Sequence, residues 1–429
     1  MQCKKILVAG VLFCTAIAAR AQRNDFPPAD TLKLTLDSAE SRFLRQNLAL
    51  LAQRYNIDAT KALVIQEKLY PNPNFSVSTT LYNGDARKWF PAPFTDNGEL
   101  SGGITQTILL ARKRNKAVKL AEANVKLAEY EFYDLLRTLK YTLRTDFFTI
   151  YYLQQSAKVY DTEIQSLQQI TKAFAEQQGK GYIAEKEVVR IQAQLYSMQS
   201  EYNDLLNQLN DTQSELRLIL QEKKLYISPV VDDNTIALLN PLQYSLSALI
   251  DTAYKSRTDL MIARANTDIN QLNYNYQKSL AVPDLSANIG YDQQGSYIRN
   301  FSSVGIAVDL PFFNRNQGNI KNAKKMIDVS IATQKSTEAT VEENVYRSLQ
   351  KALDADKLYK NINPEFSENF ERLMREVLTN YQKRNISLLD FLDFYDSYKQ
   401  NTLQVNSIKL NRVNAFEEIN FYTGNQFFN

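Results

Sequence analysis

Two periodicities divide the chain. From Ile104 to Gln178, Tyr182 to Ser228, Asn319 to Asn363 and Glu365 to Thr423 there is neither glycine nor proline. Such runs without a breaker predict long helices. In the second run Val188, Ile191, Leu195, Met198, Tyr202, Leu205, Leu209, Thr212, Leu216 and Ile219 fall alternately three and four apart. That is a heptad seam, which serves either knobs-into-holes packing or an ordinary helical-bundle core. A helix over Lys113 to Gln178 alone would be roughly 100 Å long at about 1.5 Å per residue, so the pattern predicts a rod.

In four segments the period shortens to two. Phe75, Val77, Thr79 and Leu81 alternate with Asn74, Ser76, Ser78 and Thr80; Leu285, Ala287, Ile289 and Tyr291 alternate with Ser286, Asn288, Gly290 and Asp292; Val304, Ile306, Val308 and Leu310 alternate with Ser303, Gly305, Ala307 and Asp309. The fourth, Glu99 to Leu109, alternates less cleanly. Strands are expected at about 74–82, 99–109, 284–293 and 302–310, each with one apolar and one small polar face. Their lengths suit a tilted membrane strand of about 9 to 11 residues, and a soluble sheet packed on a helix alternates in the same way. Four strands cannot close a barrel, and lipid tolerates no open edge. A membrane reading therefore requires several chains to share one wall.

The unit occurs twice. Asn47-Leu48 precedes Pro71 by the same interval that separates Asp259-Leu260 from Pro283, Gly103-Ile104 answers to Gly305-Ile306, and Val188, Ile191 and Leu195 answer to Phe391, Phe394 and Tyr398. This duplication predicts a first structural repeat over 22–229, a connector over 230–243 bounded by Pro229 and Pro241, and a second repeat over 244–429. The fold class is mainly α with a small β part. Residues 1–21 read as a signal peptide: Lys4-Lys5, an apolar run from Ile6 to Ala19, and the small-x-small site Ala19-Arg20-Ala21. Bulky Phe13 before Cys14 fits a lipid-attachment site poorly, so cleavage after Ala21 is expected.

Composition narrows the function. There are 50 Lys plus Arg against 47 Asp plus Glu, no His, and two Cys, Cys3 and Cys14, both within the signal. Without histidine there is no Ser-His-Asp or Cys-His couple and no His-ligated metal. Met198, Met261, Met326 and Met374 are the only soft ligands after Ala21, so no metal site and no cofactor is expected. Removing Lys4, Lys5 and Arg20 takes the net charge from +3 to 0, which argues against nucleic acid as a partner. No acid cluster or nucleophile-base pair stands out, and the chain is expected not to be an enzyme. A periplasmic coiled-coil adaptor or scaffold is the alternative to a channel; it accounts for the seam and the signal but not for four symmetrically placed alternating segments.

Three runs carry a family resemblance: Leu69-Tyr70-Pro71-Asn72-Pro73-Asn74, Gly103-Ile104-Thr105-Gln106 with Arg112-Lys113-Arg114, and Leu310-Pro311-Phe312-Phe313-Asn314-Arg315-Asn316-Gln317-Gly318-Asn319-Ile320. With the duplication, they make the chain resemble the TolC-like outer membrane efflux proteins over about residues 32 to 424, most of all the branch serving heavy-metal cation efflux. The resemblance implies a homotrimer in the outer membrane lipid, whose copies complete a twelve-stranded β-barrel continued by a helical periplasmic tunnel. It also implies a periplasmic adaptor protein and an inner-membrane transporter of the resistance-nodulation-division type for cations or drugs as partners.

Within that frame Ser76, Asn288 and Asp309 are expected to face the barrel lumen, and Val77, Ile289 and Val308 to face lipid. Tyr82 to Gly98, with Trp89, Phe90 and Phe94, is the expected external loop. The breaks at Gly179-Lys180-Gly181-Tyr182-Ile183 and Arg384-Asn385-Ile386-Ser387 are the expected periplasmic hairpin tips. There Gly181 matches the family glycine, Asp390 the family acid, Glu187 replaces that acid in the first repeat, and Arg384 departs from the glycine pattern. Glu187 and Asp390 are candidate gate residues, and equally candidate helix-start acids favoured by the dipole.

Overall fold

The structure is a computed structural model describing residues 30–232, 236–295, 297–383 and 385–428, without the side chains of 364–369, 371 and 382. The expected signal peptide, part of the connector and Arg384 lie outside the described residues. In chain order the elements are β1 (Thr31–Thr35), α1 (Leu36–Gln46), α2 (Leu48–Glu67), β2 (Asn74–Thr79), β3 (Tyr82–Asn83), β4 (Lys88–Trp89), β5 (Leu100–Ile108), α3 (Lys113–Gly179), α4 (Glu185–Leu220) and β6 (Tyr226–Val230). They continue with α5 (Leu246–Ser256), α6 (Thr258–Leu280), β7 (Leu285–Asp292), β8 (Phe301–Val308), α7 (Gln317–Lys360), α8 (Pro364–Gln382) and α9 (Leu388–Thr423).

The four alternating segments form one antiparallel sheet in the order β2-β5-β7-β8. The helices behind it keep the same order: α2 packs on α3, α3 on α6 and α6 on α7. Further from the sheet α3 is flanked by α4 and α9, with α8 on α9. Helix α3, 67 residues long, is thus common to both layers. At about 1.5 Å per residue it spans roughly 100 Å. The second half differs from the first, because its long run is divided at Asn361–Asn363 into α7 and α8. Pro364 opens α8, and a proline at that point cannot donate the backbone bond that would continue α7; α3 contains no proline.

The heptad seam of α4 is buried at Val188, Ile191, Leu195, Met198, Leu209, Leu216 and Ile219, with Tyr202 and Leu205 partly buried against α3 and α9. Beside Thr212 the structure buries Gln213 instead. Its Nε2 donates to the Ile227 carbonyl at 2.6 Å and its Oε1 accepts from the Ile227 N–H at 3.0 Å. Gln154 on α3 donates to the same carbonyl at 2.9 Å. These bonds hold β6, which pairs in parallel with β1, a two-stranded element that the alternation of apolar and polar positions does not announce.

Arg412 on α9 ties residues 236–239 down. It is fully buried, donating from Nε to Asp356 Oδ1 of α7 at 2.9 Å, from Nη1 to the Ile236 carbonyl at 2.7 Å and from Nη2 to the Leu239 carbonyl at 2.6 Å. Its guanidinium lies 4.3 Å from the centre of the Tyr359 ring. Removing one partner of a buried ion pair leaves the other charge uncompensated, at a cost of about 3–5 kcal/mol. Arg412→Met is therefore expected to lower the stability of the detergent-solubilised protein by about that amount in denaturant unfolding, with accelerated hydrogen exchange at 236–243.

Candidate functional site

Two places carry the chemistry expected of a conduit: the faces of the sheet and the ends of the helical hairpins. On the sheet, the register aligns Phe75 with Ile104, Ile104 with Ile289 and Ile289 with Val304. These four side chains are 72%, 51%, 67% and 82% exposed, so an unbroken apolar row crosses the sheet with nothing of its own chain over it. The next row on the opposite face is Asn74, Thr105, Asn288 and Gly305, and beside it run Ser76, Gly103, Gly290 and Ser303. The Asn288 amide lies over Gly305, where an added Cβ would come within 2.5 Å of its Oδ1. Successive residues of a strand point to opposite faces, so Ser76 and Asn288 share the polar face while Val77 and Ile289 share the apolar one. Val308 ends β8 on the apolar face; Asp309 lies one residue beyond the strand, on the side toward α7.

The loop over Tyr82 to Gly98 folds as the short β3–β4 ribbon and leaves Trp89, Phe90 and Phe94 exposed. It is tied to the β7–β8 turn: the Phe94 N–H donates to Gln293 Oε1 at 3.0 Å and Gln294 Nε2 donates to the Gly98 carbonyl at 3.2 Å. The chain ends of the two hairpins are therefore held together at this end of the sheet.

At the far end of the helices, α3 stops at a left-handed Gly181 with φ +79°, a conformation that costs other residues about 1–2 kcal/mol. The Tyr182 N–H donates back five residues to the Gln177 carbonyl at 3.0 Å. After α8 the same bond recurs from the Asn385 N–H to the Asn380 carbonyl at 2.9 Å. Both turns are closed by the bond that ends helices in the Schellman manner. Asp390 forms a capping box with Ser387: its N–H donates to Ser387 Oγ at 3.2 Å, and its Oδ2 accepts from Ser387 Oγ at 2.6 Å and from the Ser387 N–H at 3.3 Å. Glu187 sits in the first turn of α4, which has no side-chain cap.

The structure does not treat the two acids alike. Glu187 helps line a cavity of about 590 Å³ between the two hairpin ends, with Phe174, Tyr182, Tyr381, Ile386 and Leu388, whereas Asp390 is exposed and engaged in its cap. Tyr381, which the sequence reading did not single out, is stacked on Phe391 at 4.4 Å and on Phe174 at 5.4 Å. Its hydroxyl has no hydrogen-bond partner among the described residues. Burial first, and the Glu187 charge second, push its pKa well above the usual tyrosine value. A tyrosine within a helical run reads as core packing, and only the fold brings it to the cavity that Glu187 lines.

Comparison with known proteins agrees with this geometry. Residues 40–221 match the outer membrane efflux protein family. The chain is 22% identical over 303 residues to the cobalt-zinc-cadmium resistance protein CzcC of Cupriavidus metallidurans, covering 71% of this chain and 69% of that protein. Its fold is similar to that of the CmeC outer membrane channel of Campylobacter jejuni, with a TM-score of 0.73 at 15% identity over 91% of this chain and 85% of that one. It is also similar to the open state of the MtrE outer membrane channel of Neisseria gonorrhoeae, with a TM-score of 0.68 at 14% identity over 91% and 89% of the two chains. The chain thus matches the outer membrane efflux protein family over residues 40–221 and shares the fold of outer membrane channels along nine-tenths of its length.

Proposed function

We propose that this protein is the outer-membrane exit channel of a tripartite efflux pump, a passive conduit from periplasm to exterior with no chemical step of its own. The observation that carries the reading is the exposed row Phe75, Ile104, Ile289 and Val304 backed by a small polar face. One face suits lipid and the other water, the requirement for a barrel wall. Strands β2 and β8 each have a single neighbour in the sheet, and an open edge is not tolerated in lipid. Three copies would close those edges into twelve strands, with Ser76, Asn288 and Asp309 lining the lumen. An adaptor or scaffold would have no use for the exposed apolar row.

The same reading divides the chain into a cleaved signal over 1–21, repeats over 22–229 and 244–429, and a connector over 230–243 on the outside of the tube. A periplasmic adaptor and an inner-membrane transporter of the resistance-nodulation-division type would meet the ends near Gly181 and Arg384. The likeness to a cobalt-zinc-cadmium resistance protein supports divalent metal cations as cargo, delivered by the partner pump rather than selected by a metal site in this chain.

Glu187 and Asp390 are proposed to ring the periplasmic mouth, where three copies of each would favour cations. Because Asp390 also caps α9, the charge is tested by Asp390→Asn, which keeps a side-chain acceptor. In planar bilayers the wild-type protein is expected to form discrete pores. Asp390→Asn and Glu187→Gln, above all together, are expected to reduce cation preference, while Asp211→Asn on the exposed face of α4 leaves it unchanged. Unaltered conductance and selectivity in the double variant would make both acids helix-start residues only, and absence of pores in the wild type would end the channel reading.

A further inference from the structure

Midway down the helices, about 25 Å from the Gly181 turn at about 1.5 Å per residue, a lysine is buried among carboxylates. Lys399 on α9 has a side chain only 4% exposed. Its Nζ donates to Glu201 Oε2 of α4 at 2.8 Å and lies 3.0 Å from Asp396 Oδ1 of its own helix. Tyr160 of α3 donates from its hydroxyl to the same Glu201 oxygen at 3.2 Å. The bridge from α9 to α4 thus passes across α3, which lies between them.

One turn away along the same faces is a second carboxylate that the bridge does not use. Glu163 follows Tyr160 by three residues on α3, and Tyr395 precedes Lys399 by four on α9, spacings that place side chains about 5–6 Å apart on a helix face. The Tyr395 hydroxyl donates to the Glu163 backbone carbonyl at 2.5 Å. Glu163 is more than nine-tenths buried, yet its Oε2 has no hydrogen-bond partner among the described residues. Burial raises the pKa of its carboxyl, and the Tyr395 hydroxyl and the Lys399 charge both act against that rise. The field of Lys399 therefore reaches Glu163 even though its hydrogen bonds go to Glu201 and Asp396.

A buried ammonium costs several kcal/mol unless it is paired, so Lys399 needs a carboxylate in any arrangement of these helices. Its four-carbon stem lets the charge be re-aimed without moving the backbone far. We propose that Lys399 is a two-position clasp. In the arrangement described here it holds α9 to α4 through Glu201; in a second it turns to Glu163 on α3, which releases α4 and pairs the carboxylate oxygen Oε2 that now has no partner. Glu201, whose side chain is 41% exposed, is solvated when released, so the second arrangement strands no buried charge. The clasp rests on the channel reading and adds to it a bistable element between α4 and the α3–α9 pair, at a level where neither lipid nor the hairpin ends reach.

The test is the open-to-closed ratio of single channels in planar bilayers. Glu201→Gln weakens the first arrangement and Glu163→Gln the second, so the two substitutions are expected to shift the ratio in opposite directions, each about fivefold or more. In a Lys399→Met background both shifts are expected to vanish, because the cation that links them is gone. Glu163→Gln is also expected to assemble as well as the wild type, since it removes a buried charge whose Oε2 has no partner and keeps an oxygen acceptor. Shifts in the same direction, no shift, opposite shifts that persist with Lys399→Met, or failure of Glu163→Gln to assemble would each overturn the clasp. Those outcomes require wild-type pores; a wild type that forms none refutes the channel reading instead.

Discussion

The structure turns on backbone groups that a four-stranded sheet cannot satisfy alone. Strands β2 and β8 each leave one side of their ladder open, and the same sheet carries apolar side chains outward on one face. In water either feature invites aggregation. In lipid the apolar face would be an asset, and the open edges would call for further copies. The rest of the chain follows from holding such a sheet at the end of a long support.

That support is α3. It meets α2 and α6 near the sheet and α4 and α9 beyond it, so the change of partners happens along one continuous helix. Polar side chains mark the change. Arg144 of α3 pairs with Glu40 of α1 at 2.6 Å and with Glu417 of α9 at 2.7 Å, Gln213 and Gln154 hold β6, and Arg412 holds residues 236–239. Each is buried or partly buried and bonded to groups on other elements. Polar groups in such places cost stability when a partner is lost, and in return they fix where the short elements sit against long, nearly uniform helices that could otherwise slide by a heptad.

Much of this was legible in the sequence because it is periodic. The breaks at Gly181 and before Ser387, the seam of α4 and the four strands, each within a few residues of its expected bounds, follow from periods of 3.5 and 2 and from the placement of glycine and proline. The β1–β6 pair was not legible: it is five residues a strand, includes Pro229, and is held by a glutamine that reads as a surface residue. The break before α8 departs from the symmetry of the two halves, although it falls at Pro364, where the breaker-free run from Asn319 ends. At the hairpin ends the sequence offered Asp390 as the matching acid and Glu187 as its replacement in the first repeat. The fold makes Asp390 a cap and sets Glu187 by Tyr381, a difference that depends on which helix packs opposite and that no spacing within one helix reveals.

The central claim is that the two faces of the sheet meet different media, and the chain has no cysteine after Cys14 to complicate labelling. Single cysteines placed along Asn74, Thr105, Asn288 and Gly305, and along Phe75, Ile104, Ile289 and Val304, can be spin-labelled in reconstituted vesicles and tested for collision with oxygen, which partitions into lipid, and with a water-soluble nickel complex. The account predicts oxygen-dominated relaxation for the second row and nickel-dominated relaxation for the first, alternating residue by residue along each strand. Equal access of the nickel complex to both rows would contradict it and leave the sheet outside the membrane.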